Sequence, residues 1–339
     1  MRRPFTIGAF ALVLALVVAA CGGGTTETTA APATTAAPKP FRVALVAPSA
    51  INDLAFTQSM YDALMSIQSD MGGESAMEIA VTDSTFVVED AAAAIRDYAS
   101  SGYDLVIAHG SQYGGSLKEI APDFPDTSFA WGTAGDTFGL PNVFAYEAAS
   151  EEGGYVMGVM GAALSKSGVL GVVGPIEVGD AKRYVDGFAA GATAQDPNAD
   201  VKINYTGSFS DVALAAEAAR AEIGAGADVL TGTAQMVVGA IGVAKDDGVP
   251  WFGTQADQTQ LAPSIVVASQ VYHWEVVMKE IIDLMGQGTI GGKSFTIDLA
   301  NGGEVISYNP GYALPTDVKQ LAEDTVKGIS DGSINPPRP

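Results

Sequence analysis

The chain has 339 residues, enough for two ordinary domains. Seventeen Lys and Arg face 39 Asp and Glu, a formal net charge of -22, which excludes a nucleic-acid backbone binder needing a positive footprint. Cys21 is the sole cysteine, so a disulfide framework and a Cys-based structural zinc site are excluded from the mature domain.

The N-terminus reads as a targeting device. Arg2 and Arg3 precede an uncharged, mostly apolar run from Phe5 to Ala20, too short for an ordinary membrane span. The run ends in Val18-Ala19-Ala20-Cys21. Small residues before a single cysteine resemble the processing box of bacterial lipoproteins, which implies a signal peptide over 1–20 and lipidation of Cys21. The competing reading is an ordinary secretory signal with an incidental cysteine. Residues 21–40, rich in Gly, Thr, Ala and Pro, have little to bury and read as a low-complexity tether. Loss of residues 1–20 removes two arginines, so side-chain charge becomes 15 minus 39, or -24.

The body alternates strands and helices. Arg42–Ala47 is a near-continuous apolar run, fitting a strand covered on both faces. A helix follows from Leu54, with Phe56, Met60, Leu64, Ile67 and Met71 on one face. Asp53 stands where it could cap that helix. Ala91–Ala99 predicts a helix; Asp104–Ala108 and Phe129–Trp131 predict strands. The pattern then restarts, with strands over 169–173, 201–205, 228–230, 249–252 and 265–268. Helices are predicted over 183–194, 213–223, 237–245 and 272–285. Ser294–Pro310, with Gly302-Gly303 between two short runs, reads as a hairpin. Such alternation predicts α/β layers. A faint internal echo accompanies it: RVALVAP at 42–48 matches VLGVVGP at 169–175, and SGYDLVI at 101–107 matches AGADVLT at 225–231.

Catalytic patterns are sparse. No GxSxG elbow and no GxxxxGK[ST] loop occurs. His109 and Ser111 follow a predicted strand, but neighbours on one loop need not approach as a base and nucleophile do. His109 reads more simply as a residue lining or bordering a cleft. Trp131 suits either stacking on a flat ligand or filling the core. His273 reads as an ordinary helix residue, and neither histidine suggests a metal centre.

Taken together, Asn52-Asp53 with Phe56-Thr57-Gln58-Ser59, GYDLVIAHG at 102–110 and GVLGVVG at 168–174 carry a resemblance. Gly187-Phe188, Tyr205-Thr206-Gly207-Ser208-Phe209, Gly253–Gln258 (GTQADQ) and Ser307-Tyr308-Asn309 extend it. In order and spacing over most of residues 41–310, the chain resembles the basic membrane protein family of ABC-transporter substrate-binding lipoproteins, the nucleoside- and purine-binding type. The resemblance implies a type I periplasmic-binding fold of two Rossmann-like lobes joined by three crossovers. Lobe 1 is expected over 41–143 plus 257–288, lobe 2 over 144–256 plus 289–330, and a loose tail over 331–339. It further implies that Phe56 stacks on a purine base, that Asn52 and Asp53 bond its polar edges, and that Asp257 holds ribose hydroxyls. The bland alternatives are core packing for Phe56, a helix cap for Asp53 and a loop residue at Asp257.

The chain departs from the family at 234–239, where Ala234-Gln235-Met236-Val237-Val238-Gly239 replaces a glycine-rich stretch, and near Gln270, Tyr272 and His273. Gln235 or Met236 could therefore contact a different ligand. The implied function is solute capture without chemistry or cofactor. It takes place on the outer face of a cell membrane, with a lipid bilayer (through Cys21), an ABC permease and a small-molecule solute as partners. A ligand-presenting sensor and an extracytoplasmic nucleoside hydrolase are the competing classes.

Overall fold

The computed structural model describes residues 39–338. The signal, Cys21 and all but the last two residues of the tether lie outside the described residues.

The strand predicted at Arg42 is β1 (Phe41–Val46), and the echo at 169 is β6 (Val169–Gly174). Between them run α1 (Phe56–Met71), β2 (Met77–Thr82), α2 (Val88–Ser100), β3 (Leu105–His109), α3 (Gly114–Ile120), β4 (Ser128–Gly132), β5 (Val143–Ala148) and α4 (Ser150–Leu164). After β6 come α5 (Gly179–Gln195), β7 (Asp200–Tyr205), α6 (Val212–Gly224), β8 (Val229–Gly232), α7 (Val237–Asp247), β9 (Trp251–Gln255) and β10 (Val266–Tyr272). The chain closes with α8 (Glu275–Gly286), β11 (Ser294–Ile297), β12 (Glu304–Tyr308) and α9 (Thr316–Ser330).

Two sheets result, ordered β11-β5-β4-β3-β1-β2 and β12-β10-β9-β8-β6-β7. Their shared part, in the order second-first-third-fourth-fifth strand, is the same in both and wholly parallel. The echo is thus topological: 42–46 and 169–174 are the strands next to the edge of their sheets, and 105–107 and 229–231 lie beside them on the inner side. Parallel strands need helices on both faces, and β1 shows why its run is continuous. Val43 and Leu45 pack with Met60 and Leu64 of α1 and Ile281 of α8, while Ala44 and Val46 pack with Ile95 of α2 and Leu117 of α3. Alternate side chains of one strand therefore enter two cores.

The second lobe is built the same way. Val173, Leu230 and Trp251 pack with Ala215 and Ala219 of α6 and Ile241 of α7. Leu170, Val172 and Phe252 pack with Met157 of α4, Val185 and Phe188 of α5, and Ala322 of α9. The helices α4 and α5 cross with their backbones touching. A Cβ on Gly158 would fall on the Phe188 carbonyl oxygen, and one on Gly191 on that of Tyr155.

The division of the chain between the sheets differs from the expected boundaries. β5 belongs to the first sheet, so the first crossing follows Ala148 rather than 143. β10 pairs with β9, so the return to the first lobe comes at 273–275 and not near Asp257. β11 pairs with β5 in the first sheet, whereas β12 pairs antiparallel with β10 in the second. The expected hairpin over 294–310 is therefore a third crossing. A short run bounded by glycines looks the same in either role, because its partner is distant in sequence. The predicted helix at 272–285 begins only at Glu275, since Tyr272 still belongs to β10. Residues 331–338 are not loose: Ile334 packs in the α9 core, and Arg338 lies 2.7 Å from Glu147 Oε1.

Candidate functional site

The carboxyl ends of both sheets' strands border one cleft, the position where parallel α/β sheets present ligand loops. Pro48 after β1, Gly110–Gln112 after β3 and Thr133 after β4 line it from lobe 1. Gly179 and Asp180 at the start of α5, Phe209 after β7, Ala234-Gln235 after β8 and Gln255 at the end of β9 line it from lobe 2. The cleft has a cavity volume of ≈ 50 Å³ and opens in part to solvent.

Phe56, the first residue of α1, reaches this cleft and is 9% exposed. Its ring stacks on His109, with centroids 3.9 Å apart and planes at 7°. Burial pushes His109 down to about 3, so the imidazole is neutral at ordinary pH. Its Nε2 lies 3.2 Å from the Phe56 carbonyl oxygen and its Nδ1 2.7 Å from the Tyr146 hydroxyl. A carbonyl can only accept, so Nε2 carries the proton and Tyr146 donates to Nδ1. The Phe56 carbonyl also accepts from Ser59 Oγ, which in turn accepts from Trp274 Nε1. The phenyl ring is thus fixed from behind by a hydrogen-bonded aromatic stack. His109 itself is fully buried and is not among the residues lining the cleft, correcting the expectation that it borders the site. It supports the residue that does.

Asp53 behaves as the cap of α1. Its carboxylate accepts from the backbone N–H groups of Ala55, Thr57 and Gln58 and from Ser49 Oγ at 2.6 Å. With these donors filling its acceptor sites, it holds the helix start rather than offering an open face to a base. Asn52 is exposed and does not line the cleft. Gln235 does line it, and its Nε2 donates to Ser49 Oγ at 3.0 Å, a hydrogen bond from one lobe to the other.

Trp131 lies at the end of β4, outside the cleft wall. Its Nε1 donates to the Gly110 carbonyl, its ring stacks on Phe138, and a Cβ on Gly114 would collide with it. It props the 110–114 loop from beneath. Asp257 is exposed, accepts from Thr259 N and Ser307 Oγ, and borders a separate depression with His273 and Glu275. β9 ends at Gln255, so Asp257 has already passed the strand end that faces the cleft.

Reasoning from sequence missed Asp180, Gln255, Phe209 and Gln112. The strand expected over 249–252 stops short of Gln255, which is the last residue of β9. Asp180 stands at a strand-to-helix junction equivalent to that of Asp53. Gln255 and Ala234 both hold positive φ, at 71° and 76°, uncommon for side-chain-bearing residues and clustered here on one wall. Among the described residues, no group of three or more His, Cys, Asp or Glu could hold a metal ion.

This arrangement defines a class: a two-lobed binding protein with its solute site between the lobes. Residues 41–335 match the family model described as ABC transporter substrate-binding protein PnrA-like, and the chain belongs to that family. It is accordingly an extracytoplasmic solute-binding component of an ABC importer, not an enzyme. It is 31% identical over 247 residues to "Purine-binding protein BAB2_0673" of Brucella abortus, covering 73% of this chain and 69% of that one. It is 26% identical to "ABC transporter nucleoside-binding protein BmpA" of Lactococcus lactis, covering 99% of each. The fold is similar to that of an ABC transporter solute-binding protein from Conexibacter woesei, with a TM-score of 0.72 and 24% identity. That match covers 87% of this chain and 98% of the other.

Proposed function

We propose that the cleft captures a purine, as a nucleobase or nucleoside, and that Cys21 anchors the protein by lipid on the outer membrane face. The observation that carries the purine reading is Phe56: a ring at the cleft wall, held from behind by the stacked, neutral His109. A flat aromatic base gains both buried area and face-to-face contact on such a platform. Phe209 supplies a second aromatic from the opposite lobe. The names of two relatives agree with this choice of solute. No ribose role falls to Asp257, since it stands outside the cleft, so the sugar subsite is left to the residues that line the wall.

The mechanism is capture by closure. Contacts from both lobes to one solute favour the conformer in which the lobes meet, and the closed body then docks on the permease. Gln235 and Ser49 already form one bond of that closed arrangement. The test is mass spectrometry of the ligand released from gently purified mature protein, followed by titration of that ligand into Phe56→Ala. A stoichiometric purine whose affinity falls at least about fivefold in the variant supports the reading. A sugar or amino acid, or a purine bound equally well by the variant, overturns it. Labelling with radioactive palmitate tests the anchor, with Cys21→Ala as the comparison that must lose the label.

A further inference from the structure

Asp180 is the second residue of α5, on the second-lobe wall of the cleft. It is 7% exposed, and its Oδ2 is buried with no hydrogen-bond partner. A buried carboxylate oxygen without a donor is costly, and one kept beside a ligand cleft is poised for a donor on the occupant.

The Ala148 backbone N–H acts on this carboxyl, but no protein donor bonds Oδ2. Arg183, one turn along the same helix, faces Asp180 but spends its guanidinium on Glu147 Oε2 at 2.9 Å and the Ala148 carbonyl at 3.2 Å. From β5, the Tyr146 hydroxyl is engaged with His109. Glu147 on β5, Glu151 on α4 and Glu304 on β12 oppose its negative charge, and Tyr272 on β10 lies within its field. The other orphaned oxygens on this wall, Gln235 Oε1 and Gln255 Oε1, are acceptors too. The Gln235 amide orientation is set by its donation to Ser49 Oγ, whose own proton goes to Asp53. The Asp180 carboxylate and Gln235 Oε1 on this wall therefore ask for N–H groups.

Resting on the assignment of this cleft as the purine site, we propose that Asp180 is a specificity-determining residue. Its free Oδ2 accepts a hydrogen bond from an amino group on the bound base, so the protein prefers amino-purines to isosteres lacking that group. A site built to bond an N–H discriminates strongly against an analogue without one, because the acceptor is then left unpaired. The preference depends on pH. Burial, reinforced by Glu147 and Glu151 and opposed by Arg183, raises the Asp180 carboxyl to about 7. The ionised form is the stronger acceptor, so affinity for the amino-purine rises as pH passes through that value and then levels off.

The experiment is calorimetric titration of adenosine against purine riboside and of guanosine against inosine, at pH 6 and pH 8. These pairs differ by one amino group each. Wild type is expected to favour the amino member of one pair about tenfold at pH 8 and less at pH 6. In Asp180→Asn the ratio falls below about threefold and the pH dependence disappears. Asp180→Ser provides a second variant without a carboxylate, and thermal unfolding confirms that both fold. Unchanged ratios and an unchanged pH profile in both variants overturn the proposal. Failure of all four purines to bind wild type overturns the purine reading instead. The Asp180 proposal is then decided with benzamidine against benzyl alcohol, where equal binding to wild type and Asp180→Asn refutes it.

Discussion

Phe56 and His109 show how one residue's function depends on another's protonation. A charged imidazole behind the phenyl ring would turn the Tyr146 hydroxyl from donor to acceptor, and burial prevents that charge. The platform is therefore constant over the ordinary pH range. Phe56→Ala is expected to lower purine affinity by about 5- to 150-fold, following the ~1–3 kcal/mol of base–aromatic stacking, as read by calorimetry. Asp53 belongs to the same local unit but acts on stability. Asp53→Ala removes acceptors for three backbone N–H groups and Ser49, and is expected to cost about 2 kcal/mol in urea unfolding. Asp53→Asn, which keeps one acceptor oxygen, should recover part of that loss. A base-binding role alone would leave the unfolding midpoint of the empty protein unchanged.

At the scale of elements, the α4–α5 crossing is the most constrained contact. Glycines at 154 and 158 on one helix and at 187 and 191 on the other let the backbones meet. Each replaces a side chain that would hold the helices apart. Gly158→Ala is expected to cost at least about 1–3 kcal/mol by overpacking, because the obstacle is the Phe188 backbone and not a movable side chain. Gly242→Ala on α7 meets nothing within 4 Å and should be neutral or slightly stabilising, since alanine favours helix. Thermal unfolding of the two variants side by side checks the contrast. The glycines were visible in the sequence, but their helical spacing alone does not distinguish a crossing from flexible surface. Only the partner helix does that.

At the scale of the molecule, charge placement sets the pH response. Burial raises Asp180 and Glu222 to about 7 from ordinary carboxylate values. The folded form binds these protons more tightly than the unfolded chain. Their contribution is fully present below about pH 4 and is lost as pH rises through about 7. Asp228 and Glu275 are shifted down, so they titrate below this window and do not offset the trend. His273 is raised by its bond to Glu275, and its contribution too is lost as pH rises through its folded value. The unfolding temperature of the empty protein is therefore expected to fall between pH 5 and pH 8, by on the order of 2–4 °C per kcal/mol lost. Glu304, buried and raised well above the ordinary carboxylate value, holds a proton in the same way, so Glu222→Gln combined with Asp180→Asn should reduce that slope without abolishing it. An unfolding temperature that rises over this range would contradict the assignment of buried, proton-holding carboxylates.

Local pattern determined much of this protein. Continuous apolar runs marked β1, β3 and β6 because a parallel strand is covered on both faces, and the repeat of those runs predicted two similar lobes. Phe56 was legible because the residues around it match a family motif. Tertiary structure decided what depends on distant partners. β11 and β12 joined different sheets although only six residues separate them, because their hydrogen-bonding partners β5 and β10 lie far away in sequence. The same physics moved Asp257 out of the cleft and brought Gln255 into it, since the strand's end is fixed by pairing with its neighbours. Asp180 drew no attention as one aspartate among many. Its meaning comes from burial with its own Oδ2 left unpartnered, a property of the space around a residue and not of its neighbours along the chain.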